Sequence, residues 1–274
     1  MRQFATSRPA RPEDAFVVGL YHKAKRNFWD PQTLDLSQDR NDWRALSAPE
    51  QETLLHLSAS FVGGEEAVTL DLAPYLLHIS RSERFDDALF TALWTLEEAK
   101  HAEFFDRFHR EVSDEGEFSR FHGESYRRIF YRALPEAMNA LVADPGPEAE
   151  VKALATYNLV VEGILAETGY RAYREVLEQR SIMPGLRAGL AHVQADEGRH
   201  IAYGIHTLQT LLRQNPPARA TLETTLDDLL PDAVGVVQEL FSAHQPMPFG
   251  LHQEAFVDFA LRQLEHRIEA LNRV

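Results

Sequence analysis

The 274-residue chain predicts an all-α fold, with four helices long enough to form a bundle and others packed around it. Three observations carry that expectation. Apolar residues recur at steps of three and four, while strand-like alternation bounded by Gly or Asn turns is hard to find. Breakers cut the chain into long segments: SAPE at 47–50, DPGP at 144–147, MPG at 183–185, NPP at 215–217 and PMPFG at 246–250. No low-complexity tract or linker separates two halves, so residues 1–274 read as one domain.

Breakers and periodicity place helices over about 11–27, 48–79, 83–112, 118–142, 147–179, 184–213, 218–243 and 251–272. The 48–79 helix carries Leu54, Phe61, Glu65, Val68 and Leu72 on one stripe, with Val62, Glu66, Thr69 and Ala73 as a second. The 83–112 helix carries Phe90, Trp94, Glu98, His101, Phe105 and Phe108, at steps of four, four, three, four and three. In the 147–179 helix, Glu162 is surrounded by Leu159, Val160, Val161, Ile164 and Leu165, with no Lys or Arg within four residues. The 184–213 helix repeats the interrupted stripe as Leu186, Leu190, Val193, Glu197, His200 and Gly204. The last helix aligns Phe256, Ala260, Leu264, Ile268 and Leu271, a face for the bundle or for a partner subunit.

Composition narrows the function. Lys and Arg number 28 against 42 Asp and Glu, a formal charge of −14. That balance argues against phosphate or anionic-membrane binding, which needs cations in excess. There is no cysteine, so any transition metal must be held by His, Asp and Glu. The segment MRQFATSRPARPEDAF has no apolar run ending in a small-residue cleavage site, and no stretch approaches the ~20 apolar residues of a membrane span. The expectation is a soluble cytoplasmic protein.

Glu65, Glu98, Glu162 and Glu197 therefore sit where the periodicity calls for core residues. An isolated ionised carboxylate in a core costs several kcal/mol. Two divalent cations answer all four charges at once, and the neutral imidazoles of His101 and His200 complete the shells. Hard oxygen donors with one imidazole per metal suit iron or manganese. Glu65 and Glu98 are 33 residues apart and Glu162 and Glu197 are 35 apart, so the chain reads twice as a lone Glu followed by Glu-x-x-His. That is the pattern of ferritin-like di-metal carboxylate bundles. By contrast, Glu97 and Glu103 find Lys100 and Arg107 at i+3 and i+4, the arrangement of a solvated face, and Glu167 finds Arg171 at i+4. His22, His56, His78, His109, His122 and His192 lack the pattern and read as surface or core-edge residues.

These boxes resemble the ribonucleotide reductase small-subunit superfamily over about residues 15–215, leaving the last 60 residues unassigned. The segment FWDPQTLDLSQDRNDWRAL (28–46) resembles the superfamily's Trp-x-Pro stretch, which puts Trp29 at its near-metal tryptophan. Asp196, directly before Glu197, matches its aspartate that orients a ligating His. Where the conventional radical tyrosine would stand the chain has Phe105, and EALNRV at the C-terminus shows no tyrosine-bearing tail. The chain is closer to the small-subunit-like ligand-binding oxidases, which carry a Val three residues after the first Glu and a Tyr five before the third. Val68 and Tyr157 stand there, and the first match favours Glu65 over Glu66. The resemblance implies a manganese–iron centre reacting with O₂ in a two-electron oxidation. It further implies an ether bond joining Val68 to Tyr157, a long-chain fatty acid or similar lipid bound beside the metals, and a homodimer.

On this reading Glu65, Glu98 and His101 hold one metal and Glu162, Glu197 and His200 the other, with Glu98 and Glu197 placed to bridge. Tyr170, eight residues after Glu162, would wall the site. The rivals are the radical-generating subunit of a ribonucleotide reductase with Phe at position 105, an iron-storing ferritin-type shell, and a fatty-acid carrier whose metals only anchor a carboxylate.

Overall fold

A computed structural model of the protein describes residues 12–273. The N-terminal reading of residues 1–11 and the start of the 11–27 helix lie outside the described residues. Among the described residues every regular element is helical. Helix α1 (Pro12–Arg26) leads to a short turn, Pro31–Thr33, capped by the Asp30 carboxylate accepting from the Gln32 N–H at 2.9 Å. Helix α2 (Ser37–Ala45) falls in a stretch whose sequence shows no apolar stripe. Trp43 and the buried Asp39 carboxylate hold it, the latter accepting the backbone N–H groups of Gly185 (3.0 Å) and Leu186 (2.6 Å).

Helix α3 (Ala48–Arg81) starts where SAPE places it, because Glu50 reaches back to accept the Ser47 N–H at 2.8 Å. It packs along α4 (Phe85–Phe108), which unwinds into a wider π turn at His109–Ser113 and ends at Asp114 in the left-handed region, φ 55°. The expected 118–142 helix begins later: a tight turn at Ser119–Phe121 precedes α5 (Glu124–Arg128), which continues through a π turn at Ile129–Ala133 into α6 (Leu134–Ala143) without leaving helical geometry. Pro135 offers no N–H to the turn before it, which accounts for the π turn.

The third long rod runs unbroken from 147 to 180 as α7 (Pro147–Leu154), a π-helical stretch Ala155–Ala166, and α8 (Glu167–Arg180). Helix α9 (Pro184–Gln214) crosses it and touches α4. Helices α10 (Arg219–Ala243) and α11 (Gln253–Asn272) lie over the π-helical stretch, so the apolar stripe of α11 faces the bundle, with Phe256, Ala260 and Leu271 buried.

Two apolar clusters fill the bundle. One gathers Val68, Leu72, Trp94, Tyr157 and Tyr203; the other gathers Trp29, Phe61, Phe105, Tyr170 and Val193. On α3, α4 and α9 the metal-facing glutamates fall between residues of one cluster and residues of the other, while Glu162 lies among residues of the first. No described helix is long and apolar enough to cross a membrane.

Candidate metal centre

The four interrupted stripes converge. Glu65 from α3, Glu98 and His101 from α4, Glu162 from the π-helical stretch, and Glu197 and His200 from α9 are all buried. Their donor atoms form two sets, each within 4.8 Å: Glu65, Glu98, His101 and Glu197, and Glu98, Glu162, Glu197 and His200. Glu98 and Glu197 belong to both. His101 Nδ1 lies 3.1 Å from Glu98 Oε2 and 3.5 Å from both Glu65 Oε2 and Glu197 Oε1. His200 Nδ1 lies 3.2 Å from Glu98 Oε1, 3.4 Å from Glu162 Oε1 and 3.6 Å from Glu197 Oε2. Each bridging carboxylate thus turns one oxygen to each histidine. Glu66, one residue on, is exposed.

The donor set fits two cations. Glu162 Oε1, Glu197 Oε2 and His200 Nδ1 are buried without a hydrogen-bond partner. Unpaired buried polar atoms are costly, so their convergence needs a common partner. Separations near 3 Å are those of donors sharing a cation at bonds of ~2.1 Å. Without metal, burial pushes Glu65 up to about 8, and burial with the Glu197 charge pushes Glu162 well above the usual carboxylate range. Glu98 shifts the other way, because His200 and His101 outweigh the desolvation that would raise it.

The outward nitrogens show how the rings are set. His101 Nε2 lies 3.2 Å from Asp196 Oδ2 and His200 Nε2 lies 2.9 Å from Glu97 Oε2. A carboxylate can only accept, so each Nε2 carries the hydrogen and each Nδ1 turns its lone pair inward. Asp196 also accepts from Trp29 Nε1 at 2.8 Å and from Lys100 Nζ at 3.3 Å, and its carboxyl is held well below the usual range despite burial. The fully buried Arg199 guanidinium donates to Glu97 Oε1 at 2.5 Å and to Asp196.

This corrects the reading of Glu97, Lys100 and Arg107 as solvated: they are 1%, 4% and 9% exposed, and only Glu103 lies at the surface. The i+3 spacing of Glu97 and Lys100 misled because both pair across the bundle instead of along α4. A signal was present. EEAKH (97–101) and DEGRH (196–200) share the order acid, Glu, small residue, base, His. Each helix supplies the acid that orients the other helix's histidine, and the two bases neutralise the two acids. The four inner glutamates are left to face the cations alone.

Other expectations also change. Arg171 turns to Glu175 at 2.7 Å, and Glu167 is nearest Arg267 of α11 at 4.0 Å. His56 and His109 are buried; His56 Nδ1 lies 3.1 Å from His244 Nε2, and His109 Nδ1 lies 2.8 Å from Ser113 Oγ. Sequence reasoning missed two groups that hold carboxylates. Trp94 Nε1 donates to Glu98 Oε1 at 2.7 Å, and Asn158 Nδ2 donates to Glu162 Oε2 at 2.7 Å. Asn158 fits only because Gly204 faces it: a Cβ there would meet the Asn158 side chain at 2.4 Å.

Tyr157 is fully buried, and its hydroxyl also donates to Glu98 Oε1, at 2.9 Å. Tyr170 Oη lies 3.5 Å from Glu197 Oε1, and its ring sits 5.1 Å from that of Phe61. Phe105 is fully buried, stacked on Phe61 at 5.2 Å. Val68, Glu65, Glu98, Glu162 and Glu197 line a mostly apolar channel enclosing about 860 Å³, mouth included. Val236, Val237, Leu240, Phe241, Leu251 and Phe256, from α10, α11 and the loop between them, line it too.

Similar folds are known. The solved structure of an R2-like ligand-binding oxidase with an aerobically reconstituted Mn/Fe cofactor is 37% identical, with a TM-score of 0.89 over 93% of this chain and 92% of that one. A valine-to-isoleucine variant with the aerobically reconstituted cofactor and a tyrosine-to-phenylalanine variant with the anaerobically reconstituted one each give 36% identity and a TM-score of 0.91, over 94% of both chains. Residues 10–271 match the family described as ribonucleotide reductase, small chain. With its paired carboxylate–histidine boxes and its close kinship to the R2-like ligand-binding oxidases, the chain belongs to the ribonucleotide reductase small-chain family.

Proposed function

We propose that the protein is an O₂-using oxidase of the ligand-binding kind, with one Mn and one Fe. Glu65, Glu98 and His101 hold one metal and Glu162, Glu197 and His200 the other, with Glu98 and Glu197 bridging. The observation that carries this reading is the junction of donor set and channel: the four glutamates line a mostly apolar cavity. When bound, the metal pair supplies the reduction of O₂ that drives a two-electron oxidation.

The chain's own residues define what is oxidised. A long-chain fatty acid fits the channel, its carboxylate at the metals the glutamates hold and its acyl chain along Phe61, Val237, Leu240 and Phe241. Asp196 and Glu97 keep the imidazoles oriented, while Trp29 and Lys100 hold Asp196. Tyr170 walls the site beside Glu197. Val68 and Tyr157 share the same apolar cluster. Loss of the Tyr157 O–H and the Val68 Cβ–H, with two electrons passing to O₂, leaves an ether bond between them. The protein is read as a single domain and a cytoplasmic homodimer, for which exposed Leu70 and Leu77 on α3 offer an apolar face.

Peptide mass spectrometry after reconstitution with Mn(II) and Fe(II) tests this. Air should yield linked Val68 and Tyr157 peptides lighter by two hydrogens, and anaerobic samples should stay unlinked. Unlinked peptides of unchanged mass in air would remove the cross-link. The family match leaves a second reading, the radical-generating subunit with Phe105. Ribonucleotide reduction on mixing with a reductase large subunit would establish it in place of the oxidase.

A further inference from the structure

On the His200 side of the centre the core holds three oxidisable rings that the proposed function leaves unused. Trp94 is fully buried and stacks on His200, with ring centroids 5.1 Å apart. Tyr203 lies 5.8 Å and Tyr75 6.2 Å from Trp94, centroid to centroid. Both tyrosines are 0% exposed, and their hydroxyls are 3.0 Å apart. Tyr203 donates to Asp87 Oδ1 at 2.8 Å, which leaves its oxygen to accept from Tyr75, whose hydroxyl also lies 3.4 Å from Glu150 Oε1. Arg84 binds Asp87 at 2.9 Å and Glu150 at 2.5 Å, and His78 Nε2 lies 3.3 Å from Glu150. This cluster marks the turn between α3 and α4, where the Arg84 and Asp87 side chains are 31% and 16% exposed.

Packing alone does not call for this arrangement. Two phenylalanines would fill the same space without two buried hydroxyls that must each find a partner. Burial holds both phenols protonated, so a buried tyrosine can give up an electron only if its proton has somewhere to go. Asp87 is such a place for Tyr203. The rings span the distance from a histidine of the metal set to solvent in short steps.

We propose that Trp94, Tyr203 and Tyr75 form an electron relay between the metal centre and the α3–α4 turn, with Asp87 as the proton acceptor for Tyr203. The relay rests on the oxidase reading, which supplies its oxidant, a centre oxidised by O₂. One electron leaves Tyr203 through Trp94 and reduces the centre by one equivalent, while the Tyr203 O–H breaks and its proton passes to Asp87. Tyr75 then gives a hydrogen atom to the Tyr203 radical. A one-electron donor of the thiol or ascorbate class at the Arg84 edge restores Tyr75, returning electron and proton, and the partly exposed Asp87 releases the proton it took from Tyr203 to water. The relay drains oxidising equivalents that find no substrate in the channel.

The test uses the full chain loaded with Mn(II) and Fe(II), mixed with O₂ and freeze-quenched for electron paramagnetic resonance. Wild type should show the oxidised metal signal and a tyrosyl radical whose lines narrow with ring-deuterated tyrosine. Tyr203→Phe should keep its metal content and its melting temperature while losing that radical, and peptide mass spectrometry should find oxygen added at Trp94. Asp87→Asn, which keeps the shape, should slow radical formation by about tenfold or more and change its solvent deuterium effect. A radical of equal yield and lifetime in Tyr203→Phe overturns the relay. So does an oxidised metal signal in wild type with no tyrosyl radical beside it. Absence of the oxidised metal signal in wild type removes the oxidase reading, and the relay with it.

Discussion

Glu97 and Glu103 lie six residues apart on one helix with similar charged neighbours, yet one is buried against His200 and the other faces water. Local spacing cannot separate them, because the partners of Glu97 come from α9, about a hundred positions away. What sequence does show is the apolar stripe through Glu98 and His101, and that much of the site is legible residue by residue. Glu97→Gln should weaken metal affinity by about 10- to 100-fold in chelator competition, since the amide has one acceptor oxygen for the two donors, His200 and Arg199, that the carboxylate serves. Glu103→Gln should leave the affinity unchanged. Glu162→Ala removes a donor that only one of the two sets uses, so metal analysis should fall from two ions per chain towards one.

His56 tests the residue scale through pH. Burial and the nearby His244 push its pKa down from 6.5 to about 4. The unfolded chain therefore takes up a proton below pH 6.5 that the folded His56 refuses. Stability from this group is complete above pH 6.5 and falls as pH drops from 6.5 to about 4, by ~1.4 kcal/mol per unit. Denaturant titrations of His56→Gln should show a shallower acid slope than wild type. Equal slopes would show that His56 titrates normally in the fold.

At the scale of elements, the long rods were legible because four apolar stripes, each sustained over helices of 24 residues or more, leave little choice of period. The start of the 118–142 segment and α2 were not. In the first, the helix begins only at Glu124 and Pro135 puts a wide π turn into it; in the second, a helix without an apolar stripe is held by tertiary bonds to Asp39. The π-helical stretch was likewise invisible, since apolar residues at 159–165 suit either winding. It widens the turns beside Glu162, and such bulges frequently mark functional sites. Helices α10 and α11 were placed from sequence but given no role in the site, yet they line the channel. Val237→Trp should therefore abolish retention of a fatty acid by extracted-lipid mass spectrometry while metal content stays at two per chain. Retained lipid would move the ligand elsewhere.

Across the whole molecule the charge is arranged in shells. The formal charge of −14 lies mostly outside, while inside four glutamates face one another behind a layer in which Glu97 and Asp196 are matched by Lys100 and Arg199. Two divalent cations close that balance, and chelation reopens it. A ligand held at 100 times its Kd stabilises a fold by ~2.7 kcal/mol, so metal removal should lower the melting temperature by several degrees. The bundle and its inner glutamates and histidines follow from periodicity, whereas the neutralising layer depends on pairs that meet only after folding.

The central claim, that six residues of four rods hold one Mn and one Fe, is tested most directly by anomalous diffraction at both metal edges from crystals of the reconstituted protein. Two peaks are expected between His101 and His200, one at each edge, both bridged by Glu98 and Glu197. A single peak, or two peaks away from these residues, would contradict it.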